Sequence, residues 1–537
     1  MIYNETRSFE FASLKNLIEE NFMIDNPISR RKFLGGSAAA VALAALSPKI
    51  TYAASGDKLT IRAPGDLANI DPAFWQNTID LWAMDAIYPR LINFKPGSKW
   101  EWELYSAESI SQRDAKTIDF KLKPGSMWSH GFGEVTTADV KFSFERYLDK
   151  DLKAATGDNW ALLDYVEIQD KYSGTIHLKE PFAPIWWFVL PYATGSILCK
   201  AAVEKADGGT FSLEPPAMGG AYILKEHVAG QRVVLEAHDG FAGPKAQFKT
   251  VEILPITDSK AAENAIQAGQ LDFTRISLSV VPEFQSKMPE GLKMDLKYAP
   301  DNVWMGLNAA SPRLSDIRVR QAILKGIDVD AILEGAYFGV AERAHGPVSK
   351  GLLGYRDTAP PGRDVDGAKK LIDEAGASGL TITLDTLSDT DFMTAAQIVQ
   401  ANLAEIGINL EIESHEGGSF WGLVETKGKE GLDMQFQRWL APPDLSWTTQ
   451  WLLSTQAGIW NWQWFESKDF DDLHFAALGE TDNDKRAKML MQLQQMLDDS
   501  ACYLWITQPP RPMVWKDDIV PAMKPNGDPR LELFRKA

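Results

Sequence analysis

The sequence predicts an α/β protein built in two or more lobes and exported from the cytoplasm. Three observations carry this reading. Strand-like and helix-like segments alternate along the chain, most plainly from Leu380 to His415. The chain of 537 residues keeps about 480 beyond its leader, more than one hydrophobic core usually serves. The leader itself, "SRRKFLGGSAAAVALAALSPKITYAA" from Ser29 to Ala54, runs from basic to apolar to small residues, the order of an export signal.

The leader comes first. Phe33 to Leu46 contains no Asp, Glu, Lys or Arg. At about 14 residues it falls short of the roughly 20 that span a bilayer. Ser29, Arg30, Arg31, Lys32, Phe33 and Leu34 resemble the twin-arginine export motif, which a receptor reads as an address. Residues 1–53 are assigned to an N-terminal extension and this signal. Glu5, Glu10, Glu19 and Glu20 precede the basic region, so Met1 and Met23 both stand as starts. Thr51-Tyr52-Ala53 allows cleavage after Ala53 or Ala54.

The remaining elements follow in order. Lys58 to Ala63 alternates as a strand. Asp71 to Ile92 carries apolar residues at helical spacing. Lys116 to Gly125 is a strand closed by a Pro-Gly turn. Thr136 to Asp149 is a helix with Thr137 as N-cap and Val140, Phe144 and Tyr147 on one face. Val166 to Pro181 forms two short strands around Ser173-Gly174, and Gly220 to His238 two more around Ala229-Gly230. Ser259 to Phe273 is a helix stopped at Gly269 and followed by a strand. Val303 to Ala310 is a central strand, and Asp316 opens the next helix at its positive end. A helix ends at Gly376. Then Leu380–Leu387, Phe392–Ile408 and Asn409–His415 read strand, helix, strand. Asp482 to Ile506 is a long helix entering a final strand.

Composition bounds the partners. There are 55 basic and 73 acidic residues, a formal charge of -18. That excludes nucleic acid, whose phosphates need Lys and Arg, and speaks against anionic lipid. No metal, coenzyme or covalent motif is found. The seven histidines are scattered. Asp385, Asp389 and Asp391 read as a solvated turn, since a calcium loop would need a fixed glycine and a terminal glutamate. Asp498 and Asp499 would serve a glycosidase only if the fold faced them across a cleft, so a secreted hydrolase is kept as a remote alternative to a non-enzyme. Cys199 and Cys502 read as two buried thiols; export also permits a disulfide, and spacing does not decide between them. Eighteen tryptophans is a high count.

"FKLKPGSMWSHGFGEVTTADVKFSFER", from Phe120 to Arg146, resembles a segment of the extracytoplasmic solute-binding proteins of the dipeptide and oligopeptide family, family 5, which serve ABC importers. Pro215–Gly243, Pro255–Phe273, Gly306–Ile323 and the last helix and strand resemble further segments of that family in register. The resemblance implies a two-lobed periplasmic binding protein, type II and cluster C-like, with an extra subdomain in the first lobe. Lobe I is expected over residues 55–300, lobe II over 301–490, and a C-terminal segment, 491–537, returning to lobe I. It implies a monomer in the periplasm that binds a peptide or small-molecule ligand by lobe closure and hands it to the membrane permease, with no cofactor. The alternative is the same role for an oligosaccharide, opine or cationic organic solute.

The resemblance also places a cleft. Trp304 and Asn308 match the family's strand near the interlobe crossing. Trp439 matches a family tryptophan. Three residues later peptide binders carry an aspartate for the ligand's α-ammonium; here Pro442 stands there, and Asp444 could act only on a reshaped loop. Trp460 and Trp462 complete the expected ligand-binding set, as flat walls for a ring or cation.

Overall fold

The computed structural model describes residues 57–206 and 209–537. The expected leader, with Arg30 and Arg31, lies outside them. Two sheets organise the chain. One has seven strands in the order Leu292–Tyr298, Pro510–Lys516, Phe273–Arg275, Lys58–Ala63, Thr250–Pro255, Arg232–Ala237 and Tyr222–Val228. The other has five, in the order Asn409–His415, Thr381–Leu387, Met434–Trp439, Asn302–Leu307 and Tyr503–Thr507. A separate four-stranded antiparallel sheet, Ala107–Asp114, Thr117–Leu122, Ser173–Leu178 and Leu163–Ile168, is the extra subdomain of the first lobe.

Among the described residues only two short segments link the large sheets: residues 299–301, and Gln508 with Pro509. They are tied to their surroundings. Asp301 accepts from Arg511 Nη2 at 2.7 Å, and Gln508 Nε2 donates to Asn302 Oδ1 at 2.7 Å and to the Gly346 carbonyl at 2.8 Å. The return to lobe I therefore begins at residue 508, not at 491. The reason is pairing: Tyr503–Thr507 is antiparallel to Asn302–Leu307 and closes the edge of the second sheet, and the helix Asn483–Asp499 leads into it.

The elements form for local reasons. The strand Asn302–Leu307 is buried at all six positions, as a strand covered on both faces must be. The helix Thr390–Glu405 turns Phe392, Ala395, Ala396, Val399 and Leu403 inward at helical spacing and packs on Thr381–Leu387 and Asn409–His415. These two strands are parallel, as a strand–helix–strand unit requires. Helix ends are capped as the sequence suggests: Asp316 accepts from the Arg318 amide at 2.8 Å, and Gly376 takes a left-handed φ of 65° that costs glycine little.

Several expectations shift. The helix expected over Asp71–Ile92 occupies Thr78–Ile87, opened by an Asn77 capping box with Asp80. Thr136, not Thr137, caps the next helix, because Asp139 reaches back to the Thr136 amide at 2.9 Å. Ser173-Gly174 begins a strand instead of turning; Asp170 makes the turn by accepting from the Tyr172 and Ser173 amides. Cys199 and Cys502 are both buried and free. Of the acidic residues expected in a solvated turn, Asp389 alone lies exposed in the turn between strand and helix. Asp385 is buried on its strand and bonded to His415 and Lys427, while Asp391 pairs with Arg438. Among the described residues no helix is long and apolar enough to cross a membrane.

Candidate functional site

The geometry of the hinge selects a site. In lobe I, Lys58–Ala63 runs parallel to Thr250–Pro255 and to Phe273–Arg275. In lobe II, Thr381–Leu387 runs parallel to Asn409–His415 and to Met434–Trp439. Arg275 pairs with Met513, near the start of the strand that leaves the hinge, and Trp439 pairs with Asn302, the first residue after it. The carboxyl ends of both parallel sets thus meet at the hinge. In α/β sheets that edge is where ligands bind, because the loops there are free of the strand ladder.

Lobe I presents arginines at its edge. Arg62, almost fully buried, donates to the carbonyls of Ile256 at 2.7 Å, Thr257 at 3.1 Å and Arg275 at 3.1 Å. It thereby clamps the carboxyl ends of three strands. Arg275 is the last residue of its strand and exposed.

Lobe II presents Arg438, Trp439 and the loop after them. Arg438 pairs with Asp391 and lies over the Phe392 ring, 4.9 Å from its centre. Trp439, 8% exposed, meets Trp304 edge to face with centres 5.2 Å apart. Behind it Tyr503 and Trp505 stack on each other and against Trp304. Gln437, cross-strand partner of Trp304 and 1% exposed, has neither amide atom bonded, an uncommon state for a buried polar group. Leu440, at 55%, is among the most exposed large apolar residues.

The expected ligand residues divide. Trp304, fully buried among Trp439, Tyr503 and Trp505, does not reach the surface and only supports Trp439, which sits at the edge. Asn308 does not: it lies six residues along the strand from Asn302, about 20 Å from the hinge at a strand's rise per residue. Its amide nitrogen donates to the carbonyls of Lys429 and Leu432, both at 2.7 Å, and its oxygen accepts from the Ala310 amide at 2.8 Å. Trp460 packs on Trp421 and Trp451. Trp462 packs on Phe420 and Trp421 and donates to the Ile459 carbonyl at 2.9 Å. These two belong to the hydrophobic core of lobe II.

Asp444 corrects its expectation most sharply. Its carboxylate accepts from Arg486 Nη1 at 2.7 Å and Nη2 at 2.9 Å, and caps the helix Leu445–Thr449 through the Ser446 amide at 2.9 Å. Arg486 also donates to the Ala477 carbonyl at 2.9 Å. Both partners are buried. Burial alone would raise the Asp444 pKa, but Arg486 outweighs it and holds the carboxyl below its ordinary range. The turn at Pro442 and Pro443 drives Asp444 inward, where it is already matched to a cation.

One other cluster has ligand-like spacing. Asp385, Glu413 and His415 bring donor atoms within 4.8 Å of one another. Lys427 Nζ stands 2.6 Å from Asp385 Oδ1 and 2.7 Å from Glu413 Oε2, so an ammonium already supplies the positive charge. The charged residues at this edge that the sequence did not single out are Arg62, Arg275 and Arg438. The available signal was an arginine in the last two positions of a strand, which gains meaning only when the strands are placed.

Comparison with known proteins agrees with this architecture. Residues 102–461 match the family described as bacterial extracellular solute-binding proteins, family 5. The chain is 26% identical over 488 residues to the "Probable D,D-dipeptide-binding periplasmic protein DdpA" of Escherichia coli (strain K12), covering 87% of this chain and 92% of that one. It is 26% identical over 430 residues to the periplasmic oligopeptide-binding protein OppA of the same organism, covering 74% and 77%. The solved structure of the ABC transporter-associated periplasmic binding protein DppA from Helicobacter pylori, in complex with the peptide STSA, superposes with a TM-score of 0.73 at 23% identity over 89% of this chain and 98% of that one.

Proposed function

Since the chain belongs to family 5 of the bacterial extracellular solute-binding proteins, we propose that it captures a peptide or peptide-like solute between its lobes and presents the closed form to the permease of an ABC importer. The observation that carries this is the meeting of two carboxyl edges at a two-segment hinge. A hinge of few residues lets rigid lobes close on a ligand, and a ligand that binds the closed form better shifts the population toward it. Trp439 and Leu440 supply apolar wall. The orphaned amide of Gln437 supports a polar solute or water behind that wall. No covalent step is needed, so the solute leaves unchanged. The protein acts as a monomer in the periplasm.

Export by the twin-arginine route belongs to the same reading and rests on Arg30 and Arg31 ahead of a short apolar run. Arg30→Lys with Arg31→Lys should leave the precursor in the cytoplasm; normal export would refute the route. For binding, the gently purified protein should carry its solute in native mass spectrometry. Scattering should show a smaller radius with that solute than after its removal. A radius unchanged by a tightly bound solute would refute closure, and a solute released chemically altered would favour an enzyme.

A further inference from the structure

Arg275 stands out among the charges at the hinge. Its guanidinium makes no hydrogen bond or ion pair among the described residues; only its backbone carbonyl is used, by Arg62 and Thr274. The neighbouring arginines are committed. Arg62 is spent on three carbonyls. Arg511 pairs with Asp301 at 2.7 Å and faces Asp528 at 3.7 Å. Arg438 pairs with Asp391. Water reaches Arg275, yet protein crowds it. Burial first, and then the charge of Arg511, with Arg438 and Arg62 adding and Asp301 opposing, pull its pKa down to about 10. Arg438 comes from lobe II and the others from lobe I and the hinge. The charge of a committed cation in lobe II therefore bears on an uncommitted one in lobe I, in a chain whose overall charge is -18.

The other half of the observation is what lobe II lacks. At position 442 there is a proline, and the nearby carboxylate of Asp444 is locked to Arg486. A ligand ammonium placed beside the turn after Trp439 finds no carboxylate from either residue. A ligand anion placed at the end of the strand Phe273–Arg275 finds an open guanidinium with its planar fork of donors.

We propose that Arg275 is the anchor for a carboxylate of the solute, which for a peptide is its C-terminal carboxylate, and that this anion draws the two lobes together across the hinge. The proposal rests on the reading of this gap as a peptide cleft. The anion pairs with Arg275 and screens it from Arg438, so closure is favoured when the ligand is present and opposed when it is absent. The amino end of the ligand is correspondingly tolerant, since it meets neither of the two carboxylates expected there.

Three random pools of tri- to pentapeptides without Asp or Glu test this: free, C-terminally amidated and N-acetylated. Each is offered to ligand-stripped protein, with retention read by native mass spectrometry. Free and acetylated pools should be retained within threefold of each other, and amidation should lower retention at least tenfold. Arg275→Gln should abolish the difference between free and amidated pools, while Arg275→Lys keeps part of it. Both variants should melt as the wild type does, since the guanidinium bonds nothing in the fold. Equal retention of free and amidated pools by the wild type would overturn the anchor and leave the peptide reading standing. Retention of no pool would overturn the peptide reading, and the anchor with it.

Discussion

Asp444→Asn separates a ligand contact from a structural ion pair. In the folded protein Arg486 is 0% exposed, and its guanidinium is held by both Asp444 oxygens and the Ala477 carbonyl. The substitution keeps the shape of the side chain but leaves a buried cation without its counter-charge. Breaking a buried pair in this way costs about 3–5 kcal/mol. For a lobe of this size each kcal/mol lowers the melting temperature by about 2–4 °C, so the transition of lobe II should fall by about 6–20 °C. The assay is calorimetric melting of ligand-free protein, with urea unfolding as a second measure. Arg486→Met in the Asp444→Asn background removes the stranded charge and should recover much of the loss. If Asp444 instead served a ligand ammonium, ligand-free melting would be unchanged and only affinity would fall. An unaltered melting curve for Asp444→Asn would therefore refute the buried-pair account.

Three further outcomes are expected. His474 is buried and bonded to Thr449 Oγ1 at 2.9 Å; burial pushes its pKa down to about 4, so the unfolded chain binds the extra proton first as pH falls. Its stabilising share is whole above about pH 6.5 and is lost toward pH 4, by at most about 3 kcal/mol; urea midpoints across that range should fall less steeply in His474→Gln than in wild type. Asp85 neutralises a buried cluster with Lys524 at 2.8 Å and with Arg90. Burial would raise its pKa, but Lys524, Arg90 and Arg530 hold it far below the carboxylate range; Asp85→Asn should cost lobe I about 3–5 kcal/mol in urea unfolding. Trp439→Phe keeps an apolar wall but shrinks it, so ligand affinity by calorimetry should fall by about tenfold while stability changes by less than about 1.5 kcal/mol; unchanged affinity would remove Trp439 from the cleft.

The sequence by itself determined what is set within a few residues. The alternation of Thr381–Leu387, the helical spacing of Thr390–Glu405, and the stops at Gly269 and Gly376 were all legible, because strand and helix periods and left-handed caps are local properties. The resemblance of ordered segments added the two lobes and the family. Tertiary structure decided the rest. The strand Tyr503–Thr507 is a plain apolar run, and only its pairing with Asn302–Leu307 assigns it to lobe II. Asp444 looked available because its partner, Arg486, lies 42 residues away. Asn308 looked like a ligand contact until its strand was oriented, with Asn302 at the hinge and Asn308 at the far end. Arg275 offered only its place at a strand end, because its meaning depends on charges from four separate segments: Arg62, Asp301, Arg438 and Arg511. Side-chain type and spacing set what each segment can bury. Whether a charge is spent or free depends on long-range pairing that brings distant segments together, and local pattern carries no record of that.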